Sequence, residues 1–238
     1  MDSLSLWFEK LFSGNSRVVT VIGSGGKTSL IWHLAASLAA DRKILVTPTT
    51  KMFVPSDPVR GVTLAGVFNQ ASGKLESLPL LQLEEAVSHY DLVLIEGDGG
   101  RLHPLKAWTD DEPVVPPFTD VTVGILPVNA LGREISEDLV HRLPIFLALT
   151  GAKQGERLKP EHLIRLITGG SAVNGGPFLP GLFAKAQGKK ILFFNQAEDD
   201  AAIGQAHELA DHLPSEFRGD ISGIIAGSVR RNSLVPLS

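Results

Sequence analysis

Residues 18–30 read VVTVIGSGGKTSL, an apolar run that ends in glycines and then opens on a lysine, a threonine and a serine. Val18 to Ile22 is rich in β-branched residues and predicts a buried strand. From Lys27 onward, KTSLIWHLAASLAA combines apolar residues at helical spacing with strong helix formers, and so predicts a helix. A strand that turns through glycines into a helix brings backbone amides and the positive end of the helix dipole to one point, which suits an anion. Gly23, Ser24, Gly25, Gly26, Lys27, Thr28 and Ser29 are therefore the candidate phosphate cradle. Lys27 is placed to reach terminal phosphates, and Thr28 to ligate Mg2+. The usual spacing G-x-x-x-x-G-K-[ST] asks for glycine at position 21, where this chain has Val21.

The shorter pattern actually present, G-x-x-G-K-T from Gly23, resembles the phosphate loop of Mur-type amide ligases. The strand, glycine loop and helix around it match phosphate-loop proteins in general. A structural turn alone has no need of Gly-Lys-Thr at such a junction.

Further along, KILVTPTTKM from Lys43 and DLVLIEGDGG from Asp91 predict strands, as do DVTVGILPVNALG from Asp120, KKILFFNQAEDD from Lys189 and ISGIIAGSV from Ile221. Helical patterns stand between them, in LLQLEEAVSHY and AAIGQAHELADHL, and in KPEHLIRLITGG, where Pro160 marks a start. Ser136 marks another in SEDLVHRLPIFLALTG, which puts His141 and Arg142 on a helix. GVTLAGVFNQASGKLESL, with its turn at Ser72-Gly73, predicts a hairpin or inserted flap at the sheet edge.

Strands apolar throughout and alternating with helices imply a parallel sheet covered on both faces. The expected fold class is α/β: a Rossmann-like P-loop three-layer fold with a mostly parallel sheet, plus a small helical or hairpin insertion. One domain over 1–238 is expected, with residues 133–185 as a possible small helical subdomain. Leu4, Leu6, Trp7, Leu11 and Phe12 are spaced like one face of a short N-terminal docking helix.

The net charge is -4 and the basic residues are scattered, which argues against a nucleic-acid footprint. There are no cysteines, so disulfides, zinc-thiolate sites and any covalent sulfur or selenium carrier role on a cysteine of this chain are excluded. No stretch approaches the roughly 20 apolar residues that span a bilayer. No membrane partner and a cytoplasmic location are the expectations.

Other candidate groups lie at strand ends, where open α/β sheets meet their ligands. Glu96 and Asp98 end an apolar strand and are candidates to hold magnesium or its water shell, completing Lys27 and Thr28. Thr49, Thr50 and Lys51 cluster after the second strand, where they meet a phosphate or remain a solvated strand end. Arg101, His103 and Lys106 follow the acidic strand end and offer an anion-receiving lip. His141 and Arg142 are a candidate phosphate or partner contact, although Arg142 is equally suited to pair with Glu137 or Asp138. Asn195 stands where guanine-binding GTPases carry the asparagine of N-K-x-D, but Gln196 and Glu198 replace the lysine and the aspartate. It is a candidate purine-edge contact with only a slight guanine preference.

Taken in order, VIGSGGKTSL, ILVTPTTKM, LVLIEGDGGRLHPLKAW, DEPVVP, EDLVHR and ILFFNQAED resemble the YqeC family of selenium-dependent hydroxylase accessory proteins. The resemblance runs from about residue 17 to the final strand. It implies a phosphate-loop nucleotide-binding protein associated with maturation of selenium-dependent molybdenum hydroxylases. The family's loop falls on Gly25, Gly26, Lys27 and Thr28, and its Thr-Thr-Lys element on Thr49, Thr50 and Lys51. Its E-x-D-G strand end falls on Glu96, Asp98 and Gly99, its Leu-Lys-Ala element on Lys106, and its His-Arg pair on His141 and Arg142. Pro48 stands where a further threonine is usual, and Glu198 where the late motif has aspartate.

The expected function is that of an accessory NTPase binding Mg2+ with ATP or GTP, with Lys27, Glu96 and Asp98 as its catalytic residues. The partner would be a molybdenum hydroxylase or its cofactor-insertion machinery. Two alternatives stay open: a nucleotide-switched binding module without significant turnover, and an ATP-dependent transferase or ligase acting on the molybdenum cofactor.

Overall fold

The computed structural model describes residues 2–12, 16–57, 59–99 and 102–237. The chain starts with β1 (Asp2–Ser3) and α1 (Leu4–Phe12), followed by β2 (Val18–Gly23), α2 (Lys27–Leu38) and β3 (Ile44–Pro48). Four short strands come next: β4 (Lys51–Phe53), β5 (Val62–Leu64), β6 (Val67–Asn69) and β7 (Lys74–Glu76). Then α3 (Leu80–Val87) leads into β8 (Leu92–Glu96), β9 (Leu105–Lys106), β10 (Val121–Pro127) and β11 (Val140–His141). The second half holds α4 (Leu143–Thr150), α5 (Pro160–Thr168), the small pair β12 (Gly170–Ser171) and β13 (Phe178–Leu179), and β14 (Lys189–Asn195). It closes with α6 (Asp200–His212), α7 (Ser215–Gly219), β15 (Gly223–Ser228) and β16 (Ser233–Pro236).

Nine strands form one sheet in the order β1-β16-β15-β14-β10-β2-β8-β3-β5. Every pairing from β15 to β5 is parallel, and β16 alone runs against the rest, pairing antiparallel with β15 and with β1 at one edge. The central strands β2, β3, β8 and β10 are buried at every position, as a sheet covered on both faces requires. Strand alternation sorts their side chains. Val19, Val21, Val123 and Ile125 face α1 and α2, while Leu126, Leu192 and Phe194 face α4, α5 and α6. Val93 and Ile95 cover Leu83 of α3. The result is the expected three-layer α/β architecture with a mostly parallel sheet.

The hairpin expected near Ser72-Gly73 is β6-β7, to which β4 adds a third antiparallel strand, while β5 joins the edge of the main sheet. The N-terminal helix forms, but its buried face is Leu4, Phe8 and Phe12. Leu6 is 56% exposed, because two residues along a helix turn the side chain to the opposite side. Pro160 begins α5 as expected, whereas Ser136 starts only a turn, its hydroxyl accepting from Leu139 N at 3.3 Å. The helix after it begins at Leu143. Leu149 of α4 and Leu163 of α5 belong to the same apolar cluster as Leu126 of β10.

The parallel strands β3, β8, β2, β10 and β14 end together, at Pro48, Glu96, Gly23, Pro127 and Asn195. Everything of chemical interest gathers at that edge.

Candidate functional site

The glycine loop between β2 and α2 is fitted against its neighbours. Ser24 N donates to Ile125 O of β10 at 2.9 Å, and Leu30 N to Gly26 O at 2.9 Å as α2 begins. Gly25 and Gly26 have φ of 76° and 136°, values that L side chains rarely adopt. A Cβ on Gly25 would lie 2.5 Å from Pro127, and one on Gly26 would lie 2.4 Å from Asn195 Nδ2. The protein itself therefore demands glycine here, quite apart from any ligand. No side chain caps the first turn of α2, so the amides of its opening residues face the cavity above. Ser24 Oγ is buried there without a hydrogen-bond partner.

The two acids at the end of β8 take different tasks. Glu96 Oε2 accepts from Thr28 Oγ1 at 2.7 Å, so the hydroxyl at the head of α2 and the carboxylate at the tip of β8 meet. Burial pushes the Glu96 carboxyl above the ordinary range, against the pull of the Lys27 ammonium and the Thr28 hydroxyl, with the Asp98 charge adding to the rise. Asp98 is fully buried and committed elsewhere. Its Oδ2 accepts from Gly23 N at 3.2 Å and Trp108 Nε1 at 2.8 Å, and its Oδ1 lies 3.1 Å from Lys27 Nζ. Lys27 also donates to Gly23 O at 2.6 Å and is only 6% exposed. The expectation that both acids attend the metal thus divides: Glu96 stands at Thr28, and Asp98 holds the loop and its lysine.

A second lysine continues the network. Lys106, on β9, is wholly buried, lies 3.4 Å from Asp98 Oδ2, and donates to Gly99 O at 2.5 Å and to Glu112 Oε2 at 2.6 Å. Arg142 donates to the same Glu112 oxygen at 2.7 Å and to Ala107 O at 3.2 Å. Burial works to raise the Glu112 carboxyl, but hydrogen bonds from Arg142 and Lys106 outweigh it and bring it down to about 2. Neither Glu137 nor Asp138 pairs with Arg142. Nor does the His-Arg pair lie on a helix: His141 ends β11, beside Lys106 of β9, and Arg142, at φ 62°, precedes α4. A strand two residues long has no periodicity to read, and the partner strand decides it.

Among the other candidates, Thr49 Oγ1 donates to Val114 O at 2.7 Å and its amide to Glu96 O at 2.9 Å, so it fastens the end of β8. Thr50 Oγ1 is buried without a hydrogen-bond partner beside the cavity. Lys51 pairs with Glu76 at 2.7 Å on the flap. Asn195 Nδ2 donates to Gly25 O at 2.8 Å, and its Oδ1 accepts from Val229 N at 3.1 Å. Both ends of that amide are engaged within the protein, which makes it a brace for the loop. Ser29 lines the mouth of the cavity. Arg101 lies outside the described residues. The residues that sequence reasoning missed are Trp108 and Glu112, whose signals were the KAW and DEPVVP stretches directly after the acidic strand end.

The loop, Thr28, Glu96 and Thr50 line a cavity of about 760 Å3. Among the described residues no group of three or more His, Cys, Asp or Glu is gathered to enclose a metal ion. A hydroxyl plus one carboxylate is nonetheless the donor set that suits Mg2+ shared with phosphate oxygens and water. The residues present fit that ion together with a polyphosphate. Among the described residues no helix is long and apolar enough to cross a membrane.

Comparison with known proteins points the same way as the order of motifs. A family model described as YqeC protein matches residues 19–144. The uncharacterized protein YqeC of Escherichia coli (strain K12) is 32% identical over 171 residues, covering 63% of this chain and 67% of the relative. No solved structure matches. The matched region holds Lys27, Thr28, Glu96, Asp98, Lys106, Glu112 and Arg142 and exceeds half of the chain, and on that footing the chain belongs to the YqeC family.

Proposed function

We propose that the protein binds a magnesium nucleoside triphosphate on the Gly23–Ser29 loop and hydrolyses it slowly, as an accessory factor to a second protein. The observation that carries this reading is the meeting of Thr28 Oγ1 and Glu96 Oε2 at 2.7 Å, beside a lysine and beneath the uncapped start of α2. Lys27 leaves Asp98 Oδ1 for the terminal phosphates, a short movement within one pocket. Asp98 keeps Lys106, Trp108 and Gly23 N, so its charge stays compensated when the lysine departs. The opening amides of α2 receive the phosphate oxygens. Magnesium, when bound, would neutralise developing charge on the phosphates, and Thr28 and Glu96 would hold it or its water.

A nucleotide-switched module with negligible turnover is the second reading, and one observation favours it. Glu96 is committed to Thr28 and the metal, and Asp98 still holds three groups after Lys27 leaves, so neither carboxylate of this strand end stands ready as a base for the attacking water. The pathway, maturation of a selenium-dependent molybdenum hydroxylase, rests on the family resemblance. The partner it implies is a hydroxylase subunit or its cofactor-insertion machinery.

Calorimetric titration with ATP and GTP, with and without magnesium, tests the core of the proposal. Saturable, magnesium-dependent binding is expected, with a loss of about 100-fold or more in Lys27→Ala, equivalent to about 2.7 kcal/mol. Failure of both nucleotides to saturate, or unchanged affinity in the variant, would overturn it. Release of inorganic phosphate then separates hydrolysis from switching.

A further inference from the structure

Two cavities meet at the glycine loop. The first lies over Lys27 and Thr28, and the second, of the same volume of about 760 Å3, opens beyond the ends of β14 and β15. They share Gly26, Ser29, Asn129 and Gln196. A nucleoside triphosphate laid along the loop has a compartment for its sugar and base in the second cavity. The far wall of the first then faces the terminal phosphate across open space.

That wall has its own chemistry. Lys74 of the flap lies 4.4 Å over the Phe53 ring and forms no ion pair among the described residues, and neither does Arg133, which follows the turn after β10. The His103 and His141 rings lie 5.5 Å apart at 30°, and His103 Nδ1 is buried without a hydrogen-bond partner. The acids of the cavity form no ion pair with these two side chains, although the Lys74 charge acts on Glu96 without contact. Glu96 is engaged with Thr28, and Glu112 with Lys106 and Arg142. Two cations without a carboxylate partner in contact, an imidazole and flat ring faces line one space.

We propose that this far wall is a second ligand site, which takes a phosphomonoester carried on a flat ring and holds it beside the terminal phosphate of the nucleotide. The inference rests on the nucleotide reading above. Lys74 and Arg133 supply charge to the phosphate, and Phe53 with the His103 ring supplies flat faces for the ring.

Phenyl phosphate is a suitable probe, titrated into full-length protein already saturated with magnesium and a non-hydrolysable β,γ-imido nucleotide. Saturable binding is expected without displacement of the nucleotide, and benzyl alcohol should not compete for the site. Lys74→Glu with Arg133→Glu should weaken the probe by about tenfold or more, since each replaces a charge-assisted contact. Lys74→Gln and Arg133→Gln should give smaller losses in the same order. Absence of saturable binding to the loaded protein, equal binding by the charge-reversed variant, or one-for-one exchange with nucleotide would overturn this inference alone. A parent protein that takes no nucleotide would overturn it together with the reading beneath it.

Discussion

Two carboxylates, Glu96 and Asp98, follow each other with one glycine between them, yet the protein treats them in opposite ways. Asp98 sits among donors, whereas Glu96 has one hydroxyl and a buried setting that lifts its carboxyl above the ordinary range. A raised native pKa means that the ionised form is disfavoured by folding. Its contribution to stability is full below the unfolded value of 4.5 and is lost as pH rises through the native one. Without nucleotide at pH 7, Glu96→Gln should therefore be more stable than the parent. Each kcal/mol gained should appear as about 2–4 °C in Tm for a chain of this size. The gain should shrink as pH falls toward 4.5 and the parent carboxyl protonates. The same variant should lose the magnesium dependence of nucleotide affinity, because a neutral amide is a poor ligand for a hard cation. Thermal scans across pH, paired with titrations with and without magnesium, check both halves. A variant that is less stable at pH 7 would contradict the account of Glu96.

The loop that opens α2 is an element held from the side, and the brace is Asn195 at the end of β14. Asn195→Ala removes the shorter of two side-chain hydrogen bonds to Gly25 O, the other coming from Gln196 Nε2 at 3.2 Å, and leaves Val229 N buried without its acceptor. This should cost about 1–3 kcal/mol in unfolding free energy, measured by urea denaturation. Affinity for ATP and GTP should fall together, since the loop loosens for both. A change in the ratio between them would mean that Asn195 reads the base. The strands of the central sheet were readable because each is a continuous apolar run bounded by glycine, proline or acid, and burial on both faces leaves no polar alternation to confuse them. The glycine loop was readable as a strand-to-helix turn because glycines between an apolar run and a helical pattern mark backbone angles that other residues avoid. What local sequence left hidden is tertiary in origin. Val140–His141 is a strand only because Leu105–Lys106 lies beside it, and the division of labour between Glu96 and Asp98 depends on Trp108 and Lys106 arriving from a later segment.

Across the whole molecule, one line of alternating charge joins parts of the chain that are far apart in sequence. Lys27 after β2, Asp98 after β8, Lys106 on β9, Glu112 before β10 and Arg142 before α4 follow one another, each in contact with the next. Lys106 has no exposure at all, so it is tolerable only while both carboxylates remain charged. The Glu112 carboxyl, held down to about 2 against an ordinary 4.5, is the acid-sensitive member. Because its native pKa is depressed, its contribution is present above 4.5 and is lost as pH falls toward about 2. Glu112→Gln should thus be destabilised at pH 7 by about 2 kcal/mol, less than the roughly 3–5 kcal/mol of a fully buried pair because part of the carboxylate meets solvent. The deficit relative to the parent should stay constant from pH 7 to about 5 and then close as the medium grows more acidic. Urea unfolding of both proteins through that range gives the difference directly. A deficit that persists unchanged at pH 3 would show that Glu112 supports the network by shape rather than by charge.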